Sequence, residues 1–397
     1  MKRNFLNLTI STDLGEGCYA EIVINSICNN TSSGGVRIAD AINTAEVTKL
    51  AQEMSLKYAF SGLPRGGAKT GIKLPGTLSK EEKLQKLRLF GQSAAPILQT
   101  GIYYPGMDMN CGPEELKAIY AGAGISIGTP TDTSLFTALS AAAALHAYRA
   151  HNKSDSPTTI AIEGFGSVAT HLIDRLDETE FRVVGISTIA GAAVNKDGYS
   201  RTALLDAKKS HGDDLVSHLP GGGLNRDSIF DVEADVFIPS ARVGSLSLDL
   251  AAGLKAASVI PIANAPYQDG VVESLEKRGI TCLPGFIVNN GGVFASSLYD
   301  TGLKIDSIER ICAELYRDVL FSLIGKAAEL GISPVEMATN IARKEFEDTA
   351  TNDSIMDKMM RKEVLRKAIP SKLTGKHQQE AFINHLHKLQ QIIASYA

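Results

Sequence analysis

The sequence predicts an α/β protein with a doubly wound parallel sheet in its middle part. Two observations support this class. Between residues 158 and 287, short apolar stretches alternate with helical stretches, which is the pattern of βαβ units. At residue 134 an alanine-rich helical stretch separates this part from an N-terminal third of mixed character. We therefore expect a smaller α/β domain over 1–133, the doubly wound domain over 134–325 and a helical C-terminal segment over 326–397.

The N-terminal third contains one stretch typical of a strand and two typical of helices. Residues 18–28, CYAEIVINSIC, alternate between two faces. A further helix is predicted after Ser79, because Ser79 and Glu82 have the spacing of a capping box. Residues 43–60 place apolar side chains near a 3.6-residue period, namely Val47, Leu50, Met54 and Tyr58.

The middle part repeats strand and helix in order. Helical stretches such as SVATHLIDRL and VVESLEKRG lie between the predicted strands, which are TTIAIEG, FRVVGIST, ADVFIP, ASVIPIAN and ITCLPGF. Their short apolar character suits strands of a buried parallel sheet. The C-terminal segment is charged and helical in pattern and gives no strand signal.

Composition argues against several classes of protein. The 397 residues are 44% apolar and 21% charged with a net charge of −4, which gives no basic footprint for nucleic acid. No window offers the roughly 20 consecutive apolar residues of a membrane helix, and the N-terminus lacks the apolar run of a signal peptide. The five cysteines form no CxxC pair, which argues against a zinc site or a disulfide framework. We expect a cytoplasmic protein with no metal, nucleic-acid or membrane partner.

A glycine-rich turn follows the first strand of the middle part. Its pattern is G-x-G-x-x-A, between an apolar strand and an amphipathic helix, over Gly164, Phe165, Gly166, Ser167, Val168 and Ala169. In a dinucleotide-binding turn the first glycine permits the tight turn, the second lets the backbone approach the pyrophosphate, and the small third residue lets helix and strand pack closely. The sequence predicts a Rossmann-like dinucleotide-binding domain, with a purely structural turn as the alternative.

The end of the next strand bears on which dinucleotide binds. An acidic residue usually stands there and holds the ribose 2′-hydroxyl of NAD. This chain has Thr188 instead, which can hydrogen-bond a hydroxyl and would not repel a 2′-phosphate. The expected cofactor is NAD or NADP, with a weak lean toward NADP. No cation can be assigned to the phosphate, since Arg182 and Lys196 are near in sequence only.

Four further motifs occur in a defined order along the chain. They are SSGGVR from residue 32, LPRGGAKTGI from residue 63, YYPGMDMN from residue 103 and NNGGV from residue 289. Together they resemble the glutamate/leucine/phenylalanine/valine dehydrogenase family from about Gly34 to about Arg343. The resemblance implies reversible oxidative deamination of an L-amino acid to a 2-oxo acid and ammonia with NAD or NADP. It also implies a homo-oligomer whose helical C-terminus packs back on the first domain.

The resemblance also implies roles for individual residues. Lys69 and Asp108 match the catalytic lysine and aspartate, and Lys57 matches the lysine that binds the substrate α-carboxylate. Further positions match contacts to substrate or cofactor: Gly35 and Asn289 for substrate, and Ser240, Ala241 and Asn264 for cofactor. Without the resemblance, Lys69 could be an anion-binding lysine of a structural loop, Lys57 a solvated helix lysine and Asp108 a turn residue.

The surroundings of Lys69 agree with a catalytic role. Oxidation of an amino acid at Cα gives an imine, and the water that attacks this imine needs a base that works near neutral pH. Lys69 follows Gly66, Gly67 and Ala68. Loss of water among such small residues lowers the pKa of a lysine toward this range, and a second lysine nearby lowers it further. Asp108 could then carry the proton to and from the amine.

The predicted side-chain pocket is neutral. The residue before Gly34 and Gly35 is Ser33, where the glutamate enzymes have a lysine that holds the γ-carboxylate. The other positions that match the pocket are Gly106, Thr137, Val293 and Ser296. Glutamate would leave its carboxylate without a cation, so we expect a neutral amino acid, unless Ser33 and Ser296 point away from substrate. The alternatives are a glutamate dehydrogenase with another cation, such as Arg65, and a catalytically silent relative that senses a nucleotide or an amino acid.

Overall fold

The computed structural model describes residues 4–351 and 371–396. Contacts divide the chain into two compact units. The first comprises Met1–Asp132 and Ala342–Ser371, and the second comprises Thr133–Ile341 and Lys372–Ala397. The domain limits expected from the sequence, and the packing of 326–397 on the first domain, stay predictions. Residues 352–370 of that segment lie outside the described residues.

The first unit contains a five-stranded mixed sheet. Its strands are β1 (Asn4–Gly15), β2 (Cys18–Ile27), β3 (Ser32–Ala39), β4 (Gly66–Lys73) and β5 (Tyr103–Met107). They lie in the order β1-β2-β4-β3-β5. Strand β2 is antiparallel to β1 and β4, whereas β3 is parallel to β4 and β5. The strand predicted over 18–28 is confirmed as β2.

Three helices accompany this sheet, namely α1 (Thr44–Phe60), α2 (Lys80–Gln99) and α3 (Pro113–Gly122). The predicted capping box is confirmed, because the Ser79 side chain accepts from the Glu82 amide and Glu82 accepts from the Ser79 amide. Apolar residues of α2 and α3 form the main core with one face of the sheet, including Leu87, Phe90, Ile119, Ala68 and Ile72. Helix α1 packs on the opposite face, where a smaller cluster comprises Val23, Ile42, Val47 and Ala51.

The second unit contains a six-stranded sheet. Its strands are β6 (Thr158–Glu163), β7 (Phe181–Thr188), β8 (Gly191–Tyr199), β9 (Val236–Pro239), β10 (Ser258–Val259) and β11 (Thr281–Cys282). They lie in the order β11-β10-β9-β6-β7-β8. The predicted parallel strands are confirmed, but the sequence does not predict β8, an antiparallel edge strand that pairs with β7. Its sequence, GAAVNKDGY, is too polar to give an apolar strand signal.

The helices of the second unit and the C-terminal part are mostly short. The first is α4 (Ser134–Asn152), the predicted alanine-rich helix, and α5 (Ser167–Arg175) follows the glycine turn. Among the described residues no helix is both long and apolar enough to cross a bilayer. The others are α6 (Arg201–His211), α7 (Leu215–His218), α8 (Leu248–Gly253), α9 (Val271–Glu276), α10 (Gly285–Val288), α11 (Gly291–Asp300), α12 (Ile305–Ile311), α13 (Arg317–Leu330), α14 (Pro334–Thr351) and α15 (Ser371–Ala394).

Candidate active site

One face of the first unit's sheet carries a candidate active site. Strand β3 pairs in parallel with β4 on one side and with β5 on the other, so equivalent positions of the three strands face the same way. This face is the one on which α1 packs, because Val23 of the α1 cluster pairs directly with Lys69. The residues of these strands that share it include Ser33, Gly35, Arg37, Lys69, Tyr104 and Gly106, with Asp108 just after β5.

Lys69 and Asp108 form an ion pair on this face, and a buried arginine joins it. Lys69 Nζ lies 2.5 Å from Asp108 Oδ2, and Arg37 Nε donates to the same oxygen at 3.3 Å. Glu46 of α1 accepts from Arg37 Nη1 at 2.9 Å. Lys69 is 3% exposed and Arg37 is 5% exposed, so these charges interact in a poorly solvated place.

The pKa values of the pair are shifted in directions that keep Asp108 ionised. Burial lowers the pKa of Lys69 below its ordinary value; Asp108 opposes this shift, and Arg37 adds to it. Burial raises the pKa of Asp108, but the charges of Lys69 and Arg37 outweigh burial and hold this pKa well below its usual range. Groups this close titrate as a pair, so a proton gained or lost by Lys69 changes the proton affinity of Asp108.

Lys57 supplies a further cation from the last turn of α1. It is 4% exposed, unlike a solvated helix lysine. Burial lowers the pKa of Lys57 to about 8, with the charge of Glu53 opposing the shift and that of Lys69 adding to it. At neutral pH the ammonium is still mostly protonated, which suits it to bind a carboxylate.

Two glycines lie near Lys69 on the same face of the sheet, one closely packed and one beside open space. A Cβ on Gly35 would lie 2.7 Å from Asp108 Cβ and 3.4 Å from Lys69 Nζ, so any larger residue would displace the ion pair. Gly106 lies opposite Gly35 on β5, and a Cβ there would meet nothing within 4 Å. The face that carries Lys69 therefore has room for a ligand at Gly106.

Ser33, Tyr104 and Arg65 border the same face. Ser33 Oγ donates to the Tyr104 carbonyl at 2.8 Å, so the serine proton is engaged within the protein. The Tyr104 side chain is 41% exposed, and Arg65 Cζ lies 5.8 Å from the centre of its ring. Among the residues that the structure describes, Arg65 forms no ion pair with a carboxylate.

In the second unit, the glycine turn has the geometry of a phosphate site. Gly164 has a φ of +89°, and a Cβ there would lie 2.8 Å from the Ala241 backbone, so only glycine fits. A Cβ on Gly166 would project into open space at the start of α5, where pyrophosphate oxygens would meet the helix amides. Phe165 and Ala169 are buried, whereas Ser167 is exposed and Val168 partly so. These residues fit a bound dinucleotide.

Thr188 is buried at the end of β7, and its hydrogen bonds lie within the protein. Its hydroxyl donates to the Asp213 carbonyl at 2.6 Å and accepts from the Ala190 amide at 3.1 Å. The Thr188 hydroxyl can therefore accept a hydrogen bond from a ribose but cannot donate one. The neighbouring Ser187 hydroxyl is buried and, among the described residues, has no hydrogen-bond partner.

A cavity of about 390 Å³ opens directly after β7. Within it, Arg226 Nε lies 3.1 Å from Asp227 Oδ1, and the two terminal nitrogens of this guanidinium have no partner among the described residues. The residues that line the cavity are Ile189, Ala190, Gly191, Leu224, Asn225, Arg226 and Asp227. The end of this strand is where a dinucleotide-binding fold holds the adenosine ribose.

Four more predicted site residues of the second unit are Ser240, Ala241, Asn264 and Asn289. Ser240 and Ala241 lie in the loop after β9, where the Ser240 amide donates to the Glu163 carbonyl at 2.7 Å, beside the glycine turn. Asn264 is partly buried in the segment after β10. Asn289 is 4% exposed, and its Nδ2 donates to the Ala263 carbonyl at 3.0 Å. Its buried Oδ1 has no partner within the described residues, which leaves one acceptor for a ligand.

Thr137, Val293 and Ser296 lie near one another on α4 and α11. A Cβ on Gly292 would come within 2.7 Å of Thr137 Oγ1, so α4 passes close to the residue before Val293. Thr137 Oγ1 donates to the Thr133 carbonyl at 3.0 Å, and Ser296 Oγ donates to the Gly292 carbonyl at 2.7 Å. Both hydroxyl protons are used within their own helices.

Sequence reasoning missed two arginines. Arg37 is the last residue of the quoted motif SSGGVR, and its two-residue spacing from Gly35 on a strand places it on the same face. That signal depends on assigning a strand to 32–39, which its two glycines obscure. Arg226 lies 38 residues beyond Thr188 in the chain, so only the fold brings it to the end of β7.

Comparison with protein-family models gives two matches along this chain. Residues 126–301 match the model described as "Glutamate/Leucine/Phenylalanine/Valine dehydrogenase". Residues 5–123 match "Glu/Leu/Phe/Val dehydrogenase, dimerisation domain". One curated relative is a glutamate dehydrogenase of Thermotoga maritima, 27% identical over 297 residues, which are 69% of this chain and 70% of that protein.

Solved structures share the fold. The hetero-hexameric glutamate dehydrogenase from Thermus thermophilus in its Leu-bound form is 21% identical, with a TM-score of 0.74 over 86% of this chain and 88% of that one. The L-tryptophan dehydrogenase from Nostoc punctiforme is 20% identical, with a TM-score of 0.60 over 87% of this chain and 96% of that one. At these identities the structures bear on the fold alone.

Proposed function

The chain belongs to the Glu/Leu/Phe/Val dehydrogenase family of NAD(P)-dependent oxidoreductases, and on this premise we propose that it oxidatively deaminates a neutral L-amino acid. The products are a 2-oxo acid, ammonia and the reduced cofactor, and the reaction is reversible. The observation that carries the proposal is the buried pair of Lys69 and Asp108 on the same face of the sheet as the open space at Gly106. Because residues 5–123 match a dimerisation domain, we also infer a homo-oligomer.

We assign substrate binding to charged side chains of the first unit. The protonated Lys57 takes the α-carboxylate, and the ionised Asp108 accepts a hydrogen bond from the α-amino group. Arg37 is a positioning residue, since it bonds both Asp108 and Glu46 and so fixes the direction of the Asp108 carboxylate. The buried Oδ1 of Asn289, which has no partner within the described residues, is an acceptor that the second unit offers to a ligand.

Proton transfer is assigned to Lys69 and Asp108. Bound NAD(P) supplies the hydride acceptor for the substrate Cα, which leaves an imine on the substrate. Neutral Lys69 takes a proton from the water that attacks the imine carbon. Asp108, 2.5 Å from Lys69, receives a proton from it and passes one to the departing amine. The carbinolamine hydroxyl then gives its proton to Lys69, which is neutral again, as the C–N bond breaks and the 2-oxo acid and ammonia are released.

The preference for a neutral side chain rests on the border of the site near Ser33. Ser33 is small and uncharged, and Gly106 adds room on the neighbouring strand. A γ-carboxylate placed here without a cation would lose its hydration and gain no partner. One observation favours glutamate as a second candidate: Arg65 lies over Tyr104 and forms no ion pair within the described part of the chain.

Activity with a panel of amino acids and 2-oxo acids, measured by nicotinamide absorbance with both cofactors, tests the proposed substrate preference. If the side-chain pocket is neutral, we expect a higher kcat/KM for neutral amino acids than for glutamate. A wild-type preference for glutamate that falls in Arg65→Gln would instead establish Arg65 as the side-chain cation. Binding of an amino acid or a nucleotide without any turnover would establish a silent sensor.

Ser33→Lys is expected to change the substrate preference. The new ammonium would stand where a γ-carboxylate ends, and a charge-assisted hydrogen bond contributes about 1.5–3 kcal/mol, so glutamate kcat/KM should rise roughly tenfold or more. Neutral substrates should lose efficiency, because the ammonium would be partly buried without a partner. Ser33→Leu is the matched control of similar bulk and should favour branched aliphatic substrates. Profiles identical to wild type in both variants would show that Ser33 faces away from the substrate.

We propose NADP as the preferred cofactor. Thr188 presents no negative charge at the end of β7, and the adjoining cavity contains the guanidinium of Arg226 with two free nitrogens among the described residues. A planar guanidinium can bind a phosphate through two parallel hydrogen bonds. Asp227 opposes this preference, because it lines the same cavity and pairs with Arg226.

Arg226→Gln is expected to lower kcat/KM for NADP by about tenfold or more, because one charge-assisted contact contributes about 1.5–3 kcal/mol. The value for NAD, which lacks the 2′-phosphate, should stay unchanged. Arg182→Gln is the control, since Arg182 is an exposed arginine near the opposite end of β7. Steady-state rates with both cofactors decide the matter, and equal losses for NAD and NADP would remove Arg226 from the phosphate site.

A further inference from the structure

Glu163 is a buried carboxylate at the glycine turn that the proposed reaction does not use. It is the last residue of β6, directly before Gly164, and it is 7% exposed. Ser245 Oγ donates to its Oε2 at 2.8 Å, and the Ala241 amide donates to the same carboxylate. Its side chain and its carbonyl, which accepts from the Ser240 amide, therefore fasten the loop after β9 to the strand that leads into the turn.

Burial and the groups near Glu163 shift its pKa in opposite directions. Burial raises the pKa of Glu163 to about 7, although the Ser245 hydrogen bond and the positive charges of Arg226 and Arg242 oppose this shift. Arg226 lies after β8 at the cavity described above, and Arg242 lies in the loop after β9; both are exposed, so solvent screens them. Near neutral pH, a further charge at the turn can decide whether Glu163 is ionised.

A bound dinucleotide brings such a charge. Its pyrophosphate would lie at the Gly164–Ala169 turn, against the start of α5, and it carries two negative charges. Like charges in a poorly solvated place disfavour the ionised carboxylate. We propose that Glu163 takes up a proton from solution when the dinucleotide binds, so that this positioning residue makes cofactor affinity depend on pH. The inference rests on the proposed binding of the cofactor at this turn.

The direction of the effect follows from linkage. If bound cofactor raises the pKa of Glu163, affinity is highest where Glu163 is already protonated and falls as pH rises through the pKa of the free protein. The affinity stops falling once the pH exceeds the pKa of Glu163 in the complex with the cofactor. A rise of about one pKa unit corresponds to a tenfold change in affinity, so we expect roughly tenfold weaker binding at pH 8.5 than at pH 6.

Calorimetric titration of the full-length protein with NADH tests the inference. NADH is the probe because it has no 2′-phosphate that titrates in this range. Measurements at pH 6, 7 and 8.5, each in two buffers of different ionisation enthalpy, give the affinity and the number of protons taken up. The wild type should take up protons near pH 7.5, whereas Glu163→Gln should take up fewer and bind with nearly the same affinity at each pH.

Ser245→Ala supplies an independent variant that keeps the carboxylate. It removes a donor to the ionised form, so the pH at which affinity changes should move upward. Other titrating groups contribute equally to the wild type and to both variants, so the differences report on Glu163. Equal proton uptake in the wild type and Glu163→Gln would overturn the inference.

Ala169→Leu separates the inference from the assignment of the cofactor site. Ala169 is fully buried between α5 and the sheet, so a larger side chain should displace the turn and weaken NADH binding. Weaker binding in this variant, together with unchanged proton uptake in Glu163→Gln, would reject only the role of Glu163. Unchanged affinity in Ala169→Leu would instead place the cofactor elsewhere and remove the premise.

Discussion

Lys69→Ala is expected to lower kcat by about 10²–10⁴-fold, the usual contribution of a positioned acid or base. Lys69 is a buried side chain whose neutral form can accept a proton from water, and its nitrogen packs closely beside Gly35. Burial lowers its pKa, so the neutral form is more accessible than that of a solvated lysine. Dinucleotide affinity should be unchanged, because the glycine turn at Gly164 belongs to the other compact unit.

Lys73→Ala is the matched control for this experiment. Lys73 lies on the same strand, β4, but its ammonium is 5.7 Å from the centre of the Tyr19 ring and contacts none of the site residues. This variant should retain wild-type turnover. Small primary amines added to Lys69→Ala should restore part of the rate, which a merely structural role would not allow. Turnover of Lys69→Ala within about tenfold of wild type would contradict the mechanism.

The elements that the sequence predicted are those whose signals are local. The G-x-G-x-x-A pattern is fixed by steric needs at Gly164, where the structure leaves no room for a side chain beside Ala241. The capping box of Ser79 and Glu82 is likewise a contact between near neighbours in sequence. Such features depend on a few adjacent residues, so a single sequence contains all the information that they require.

The elements that the sequence did not predict depend on distant contacts. Strands β3 and β5 contain glycine or proline, SSGGVRIA and YYPGM, and hold together because β3 pairs with both of its neighbours. Arg37 could not be recognised as a partner of Asp108 without that pairing. Arg226 reaches the end of β7 only because the chain returns there after β8, as the pairing of Ala192 with Leu224 shows.

The hydroxyl groups of the predicted pocket show a further limit of sequence reasoning. Ser33, Thr137 and Ser296 all donate their protons to backbone carbonyls. The sequence indicates which hydroxyls are present but not where their protons point. Each of these hydroxyl oxygens keeps only the capacity to accept a further hydrogen bond, which bears on the proposed role of each residue in substrate choice.

Asp108→Asn is expected to lower kcat by about 10²-fold or more and also to destabilise the first unit. The amide keeps the shape of the carboxylate but cannot exchange a proton with Lys69 or the amine. It also leaves Lys69 and Arg37 buried without their shared anion. Removing one partner of a buried pair typically costs about 3–5 kcal/mol, and the lower end applies here because Lys69 can lose its proton.

The pH dependence distinguishes this double role from that of a turn residue. Because the folded-state pKa of Asp108 lies below the ordinary value of 3.8, its ionised form stabilises the fold above about pH 4, and this contribution is lost as pH falls through the folded-state pKa. Urea unfolding at pH 7 and in acid should therefore show a stability difference from wild type that shrinks in acid. Glu114→Gln is the control, because Glu114 pairs with Lys80 at the surface, where solvent screens the pair, and its loss should change stability little. An Asp108→Asn protein with wild-type turnover and wild-type stability at pH 7 would show that Asp108 only completes the turn after β5.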